Sequence, residues 1–299
     1  MDRVTSMRVF VRAALDGSLS AAARHLGMSP AMAAKHVNAL EARMGVKLFH
    51  RTTRRLTLTE AGGNYLEACQ RILPAIEEAE AEATSQRVKA TGLLRMNVPL
   101  SFGQRFIAPL MPAFAGHHPE VTVELGLSDA ELDIIAGGWD LAVRVGRLAD
   151  SPLQARQIGD SDMLVCASPE YLDRRGVPRG VADLVQHNCL GYTLSGTQGR
   201  NHWAFGANGE IRVPVSGNLM ANNGDALLAA AVRGQGLVYQ PRFIVGEALA
   251  SGELVALELD RPAIELGGIH VLYPPDRRPP AKVRVMIDYL AEAFESSRP

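Results

Sequence analysis

Residues 18–45 constrain this chain more than any other stretch. Ser20-Ala21-Ala22-Ala23-Arg24-His25-Leu26 reads as a short helix that Ser20 can cap, and Gly27 suits the left-handed position after it. Met28 bridges a tight turn. Ser29-Pro30 then reads as an N-cap followed by proline at the first helical position. The helix that follows buries Ala33, Val37, Leu40 and Met44, at i, i+4, i+7 and i+11, and Gly45 ends it. Upstream, Met7, Phe10, Val11 and Ala14 share one helical face that stops at Gly17-Ser18. The three alanines let the second helix approach its neighbours closely. Two short helices joined through one glycine turn describe a helix-turn-helix, although spacing alone also fits an ordinary helical hairpin.

What surrounds the pair favours a nucleic-acid reading. Ala31, Ala34, Lys35 and Asn38 fall off the buried face and can reach a major groove, while the helix start at Ser29 and Pro30 can bond phosphate. Leu48–Leu58 reads as two short strands around a basic tip, a wing on which Arg51, Arg54 and Arg55 can meet phosphates or the minor groove. Residues 1–60 hold ten Lys/Arg against four acids, a net +6; the whole chain is −1, so the remainder is −7. A basic head on an acidic body suits a polyanion-binding module joined to something else.

Thr59 can cap a further helix. Along it Leu66, Cys69, Leu73 and Ile76 form a heptad-spaced seam, continued by Ala83 after the polar Glu80, and Pro74 predicts a kink or a weakened bond. Such a helix can pack on its own domain or pair with a second copy. Val88–Gly92 reads as a short hinge.

Beyond it, strand-like and helical runs alternate. Strands are expected at 93–98, 121–127, 141–145, 163–167, 237–240 and 269–273, and helices at 102–114, 131–136, 169–174, 226–232, 243–250 and 282–294. That order implies α/β layers with largely parallel sheets, where ligands bind beyond the carboxyl ends of strands. Leu100, Ser101 and Phe102 follow the first strand, and Ser101 can cap the helix it opens. Asn222 and Asn223 open another helix, Arg144 and Gly146 close one strand, and Tyr239 and Gln240 close another. Two helix starts with a cation nearby favour a small anion, most simply a carboxylate.

Other chemistry lacks its signals. His117-His118 has no third ligand at metal spacing, and Gly234-Gln235-Gly236 has no following helix. Neither a nucleophile elbow nor a phosphate loop occurs, so no catalytic residue, cofactor or metal is expected. Three cysteines, Cys69, Cys166 and Cys189, fit buried free thiols in a reducing compartment. The chain has no apolar run of membrane-spanning length and opens Met1-Asp2-Arg3-Val4-Thr5-Ser6, so a cytoplasmic protein is expected. From the body alone, a solute-binding protein or an α/β enzyme with a helical appendage stays open.

Ser20–Ala23, Leu26–Pro30, Leu40-Glu41, Gly45–Arg51 and Leu58–Gly62 occur in order and without gaps over about sixty residues. In this the chain resembles the LysR-type transcriptional regulators. Family members usually carry Ser where this chain has Ala34, and often Gln or Arg where it has His36. The resemblance implies a winged helix-turn-helix domain at 1–59 and a dimerisation helix with its hinge at 60–89. It also implies a two-lobed effector domain at 90–299, like a type 2 periplasmic binding protein. Lobe one would hold 92–161 and 268–299, and lobe two 162–267. The partners expected are double-stranded DNA, a small carboxylate effector, further copies of the chain as dimer or tetramer, and RNA polymerase.

Overall fold

The computed structural model describes residues 1–51, 56–83, 89–130, 133–195, 201–275 and 279–295. They part into two compact units. One is Met1–Leu93 with Glu120–Thr122 and Pro280–Lys282, and the other takes the rest of the chain.

The first unit opens with α1 (Arg3–Asp16), α2 (Leu19–His25) and α3 (Pro30–Met44). A hairpin of β1 (Phe49–Arg51) and β2 (Leu56–Leu58) and the long α4 (Glu60–Ala83) follow. The cap of α2 differs from expectation. Gly17 turns left-handed at φ 62, which leaves Ser18 extended, and the Ser18 hydroxyl accepts from Ala21 N at 3.3 Å. Ser20 is therefore already inside the helix and exposed. Ala22, Ala23 and Ala33 are wholly buried with Phe10 and Val37, so small side chains do bring the three helices together. Glu41 is buried as well, but its carboxylate accepts from Leu48 N (3.0 Å) and Phe49 N (3.3 Å) and meets Lys47 Nζ at 2.9 Å. A buried carboxylate with three donors ties the end of α3 to the start of the hairpin.

Thr59 caps α4, accepting from Gly62 N at 2.9 Å, and α4 continues as helix through Pro74. A Cβ on Gly62 would lie 2.0 Å from Leu48 O, so only glycine lets α4 begin this close to the hairpin. The apolar seam of α4 faces inward. Cys69 and Leu73 are buried in the same core as Phe10, with Tyr65 and Leu66 partly buried against it, while Ile72 stays 44% exposed.

Further along the chain, β3 (Gly92–Val98) leads into α5 (Leu100–Phe102), a π turn at Gly103–Ile107, a 3-10 turn at Ala108–Leu110 and α6 (Met111–His117). The single helix expected over 102–114 is thus several tight segments, with Pro109 and Pro112, which have no N–H to donate, inside the run. Next come β4 (Val121–Leu127), β5 (Leu141–Val145), β6 (Gln154–Gly159), β7 (Met163–Ala167) and α7 (Pro169–Arg175). Short strands follow, β8 (Gly191–Tyr192), β9 (His202–Phe205), β10 (Ile211–Pro214) and β11 (Met220–Ala221). The chain closes with α8 (Gly224–Val232), β12 (Val238–Pro241), α9 (Arg242–Ala250), β13 (Val255–Ala256), β14 (Ile269–Tyr273) and α10 (Ala281–Glu295).

Two sheets organise these elements, one ordered β4-β3-β5-β14-β6 and one ordered β12-β7-β13. Neither is largely parallel: the first is mixed and the second is antiparallel throughout. β3 and β5 run parallel, but β14 is antiparallel to both β5 and β6, and β12 and β13 are antiparallel to β7. The reason is the return path. Ile269 pairs with Val145, so β14 enters beside the end of β5 and must run back along it. The helix expected at 131–136 is also absent from its described part. Residues 134–138 form a turn in which Asp133 accepts from Ala136 N and Gly137 N, and Gly138 leaves it at φ 65. Around the five-stranded sheet Phe102 stacks on Phe106 and Phe294, while the three-stranded sheet buries Trp203, Phe205 and Tyr239.

Candidate functional site

The first candidate is the outer face of α3. Ser29 caps it, its hydroxyl accepting from Met32 N at 3.2 Å, and Pro30 follows at the first helical position. Ser29, Pro30, Ala31, Lys35 and Asn38 are exposed, and Ala34 is half-buried beside them. Met32, 44% exposed on the same face, was not singled out from sequence, because an apolar residue at helical spacing reads as core. His36 points the other way. It is buried, and its Nδ1 shares a 2.8 Å hydrogen bond with the Ser6 hydroxyl, which also donates to Asp2 O. This bond seats the back of α3 on α1. Arg51 ends β1; its side chain, Arg54 and Arg55 lie outside the described residues.

The second candidate is a cavity of about 350 Å³ in the second unit. Ser101, Arg144, Gly146 and Gln240 line it, as the strand-end argument expected. Arg144 stands at the end of β5, where its Nη1 donates to Asn97 Oδ1 (2.8 Å) and Val143 O (3.0 Å). Gln240 is 3% exposed, and α8 passes so close that a Cβ on Gly224 would lie 2.9 Å from Gln240 Oε1. Gly146 adopts φ 119, backbone open to glycine and strained for other residues.

Several sequence candidates have other roles or places than expected. Ser101 does not cap its helix. Pro99 precedes the first turn with no side-chain cap, and Leu100 N donates instead to Asp129 Oδ1 at 2.8 Å. Phe102 is fully buried among aromatic rings, and Leu100 is half-buried outside the cavity lining. Tyr239 is core: its ring stacks on Phe205, and its hydroxyl donates to Ala204 O and accepts from Ile264 N. Asn222 is exposed and does not line the cavity. Asn223 caps α8, accepting from Asp225 N and Ala226 N, and its amide donates to Asp129 Oδ2 at 3.1 Å.

Asp129, Arg147 and Tyr192 also line the cavity and were missed. Asp129 and Arg147 each lie two residues beyond the end of a strand, β4 and β5, so the strand-end rule, applied evenly, finds both. Tyr192 lies in a two-residue strand that leaves no periodic signal. Its hydroxyl is pushed up to about 12 by burial and then by the charge of Asp129, so it stays protonated as a donor at neutral pH. Arg147 Nη2 donates to Ala207 O (2.6 Å) and Asn208 Oδ1 (3.0 Å). Met163, Phe243, Ile244, Ile264 and Leu266 make the apolar part of the wall.

Comparison with known proteins finds a family match for the region that holds each candidate. Residues 4–63 match the bacterial regulatory helix-turn-helix protein, lysR family, and residues 88–295 match the LysR substrate binding domain. The chain is 33% identical to the HTH-type transcriptional regulator CrgA of Neisseria meningitidis serogroup C over 287 residues, 96% of this chain and 95% of that protein. It is 31% identical to the HTH-type transcriptional regulator DmlR of Escherichia coli K12, across 99% of this chain and 96% of that one. The solved structure of CrgA from Neisseria meningitidis superposes with a TM-score of 0.62 at 32% identity, covering 97% of this chain and 98% of that one. The full-length Vibrio cholerae virulence activator AphB superposes at 0.57 and 28% identity, covering 98% and 100%. With both family models matched in order along one chain, a capped helix-turn-helix at its head and a ligand-sized cavity in its body, this protein belongs to the LysR family of transcriptional regulators.

Proposed function

We propose that this regulator reads operator DNA with α3 and the 49–58 hairpin, and that a small anionic effector enters the cavity and alters that engagement. One observation carries the effector half. The cavity wall combines two cationic residues, Arg144 and Arg147, with a largely apolar lining, which suits a carboxylate on an apolar body. Two acids share the wall. Asp129 already accepts from Leu100 N and Asn223, and Glu265 lies 4.0 Å from Arg147. The DNA half is supported by the exposed Ser29, Pro30, Ala31, Lys35 and Asn38 on a helix whose other side is fully committed to the core.

One reading helix covers a short half-site, so the working form is a dimer or tetramer whose symmetry matches the operator. In this reading 1–59 binds DNA, 60–89 joins copies, and 90–299 senses the effector with lobes at 92–161 plus 268–299 and at 162–267. RNA polymerase is a further partner, and the cytoplasm is where the protein works. Footprinting on upstream DNA, with and without a panel of carboxylates, tests the proposal. Lys35→Ala should change which sequences are protected, and Arg144→Ala should lower effector affinity measured by calorimetry. A bound carboxylate that leaves the footprint unaltered contradicts the effector half.

A further inference from the structure

Beside the cavity, on the lining residue Ser101, sits a carboxylate that belongs to the chain. Asp225, in the first turn of α8, accepts from the Ser101 hydroxyl at 2.7 Å through one oxygen and from Arg105 Nη2 at 2.6 Å through the other. Ser101 is 3% exposed and lines the cavity. The other guanidinium nitrogen of Arg105 donates to Ile244 O at 2.9 Å, so the group is held with one edge toward Asp225. A hydroxyl and an oriented guanidinium edge make a carboxylate seat of the kind proteins use for ligands. Its present occupant is only partly covered, the Asp225 side chain being 33% exposed.

We propose that Asp225 is a resident occupant of this seat, and that a carboxylate effector binds by taking its place on Ser101 and Arg105. The proposal rests on the effector reading of the cavity and names how that site selects its ligand. Ser101 and Arg105 follow β3, whereas Asp225 lies on α8, more than a hundred residues further along the chain. The pair therefore fastens the two halves of the effector domain together. An effector that exchanges for Asp225 removes that fastening and makes its own, so it interacts differently with the two arrangements. Such a difference is what a ligand needs in order to shift a conformational equilibrium. Exchange of like for like also sets specificity. A neutral isostere such as an amide cannot replace the ion pair with Arg105, and a cation is repelled by it.

Chemical rescue tests this on the full chain. Asp225→Ala deletes a side chain whose missing part is closely mimicked by acetate. The expected result is a saturable rise in the Tm of Asp225→Ala with sodium acetate, about 3 °C or more at saturation, measured against sodium chloride of equal ionic strength. Wild type should show no such rise at the same concentrations, and Arg105→Gln/Asp225→Ala should lose it. Because the truncation can cost folding, Asp225→Asn provides a second route at nearly constant size. Sodium benzoate, titrated calorimetrically, should bind Asp225→Asn at least tenfold more tightly than wild type, since the neutral amide yields the seat more readily. An acetate response equal in wild type and Asp225→Ala, its persistence in the double variant, or benzoate binding unchanged by Asp225→Asn would each overturn the proposal. These failures are distinct from failure of the effector reading, which is decided by the footprint and Arg144→Ala.

Discussion

The outer face of α3 and the wall of the cavity hold similar side chains under opposite conditions. On α3, Ser29, Lys35 and Asn38 sit at the surface of a helix whose inward side is spent on Phe10, Ala22 and Leu40. In the cavity, Ser101, Asp129, Arg144 and Arg147 are tied to other parts of the chain before any ligand arrives. A surface that must meet a large, highly charged partner can leave part of its hydrogen bonding to water. A recess lined by apolar walls cannot, because a buried polar group without a partner costs about 1–3 kcal/mol. Binding at the head is therefore mostly addition of contacts, and binding in the body is mostly exchange of them.

The largest effect expected concerns what supports the reading helix. Leu73→Ala should destabilise the head by about 2–5 kcal/mol, seen in thermal or urea unfolding, because it opens a cavity in the core that seats α1. Ile72→Ala, one residue away on the exposed side of α4, should change head stability by no more than about 0.5 kcal/mol. Equal costs would contradict the inward orientation of the α4 seam.

Next comes the exposed face itself. Lys35→Ala should weaken operator binding by about 1–3 kcal/mol in a mobility-shift titration, with discrimination relaxed at one base pair if the contact is to a base edge. A loss that is uniform across sequences would reassign Lys35 to phosphate.

The thiols compare the two units chemically. Burial pushes Cys69 in the head up to about 11, and pushes Cys166 and Cys189 in the body up to about 12. At pH 8 the thiolate fraction is then about one in 1,000 for the first and about one in 10,000 for the others, so native alkylation should be slow at all three. Labelling should become fast in denaturant, with Cys69 modified first as denaturant rises if the head opens before the body.

The smallest effect is a pH dependence of the body. His187 is held below the ordinary histidine value by burial and then by the charge of Arg175, and His270 by burial, against the pull of Asp160. Both rings favour the neutral form in the fold, while the unfolded chain takes up protons near the ordinary value of about 6.5. The stability they contribute is thus intact above that pH and is lost progressively as the pH falls from about 6.5 towards the folded values. His187→Gln/His270→Gln should flatten the fall in Tm over that window, and a steeper fall in the variant would reverse the sign.

How legible each region was follows from how far its contacts reach along the chain. The caps at Ser29 and Thr59 and the left-handed turn at Gly45 involve partners within four residues, and sequence reading located all three. The α4 seam was read with the right period while its facing stayed open, because periodicity reports that a face is apolar without reporting what covers it. In the body, the bonds that decide each residue's role run far. Ser101 meets Asp225, Arg105 meets Ile244, and the Tyr239 hydroxyl meets Ala204 and Ile264. A residue at the end of a strand can face a cavity or a core, and only those distant partners separate Gln240 from its neighbour Tyr239. Strands of two residues, such as β8, β11 and β13, carry no alternation at all.

The central claim is that exchange in the body changes addition at the head. The most direct test is operator affinity of the full chain at fixed salt, with and without a saturating carboxylate chosen because calorimetry shows that it binds wild type and binds Arg144→Ala less well. Operator affinity should change by about 5- to 150-fold, mirrored by an equal change in carboxylate affinity when operator DNA is present. A carboxylate that binds through Arg144 and leaves operator affinity unchanged would contradict that claim.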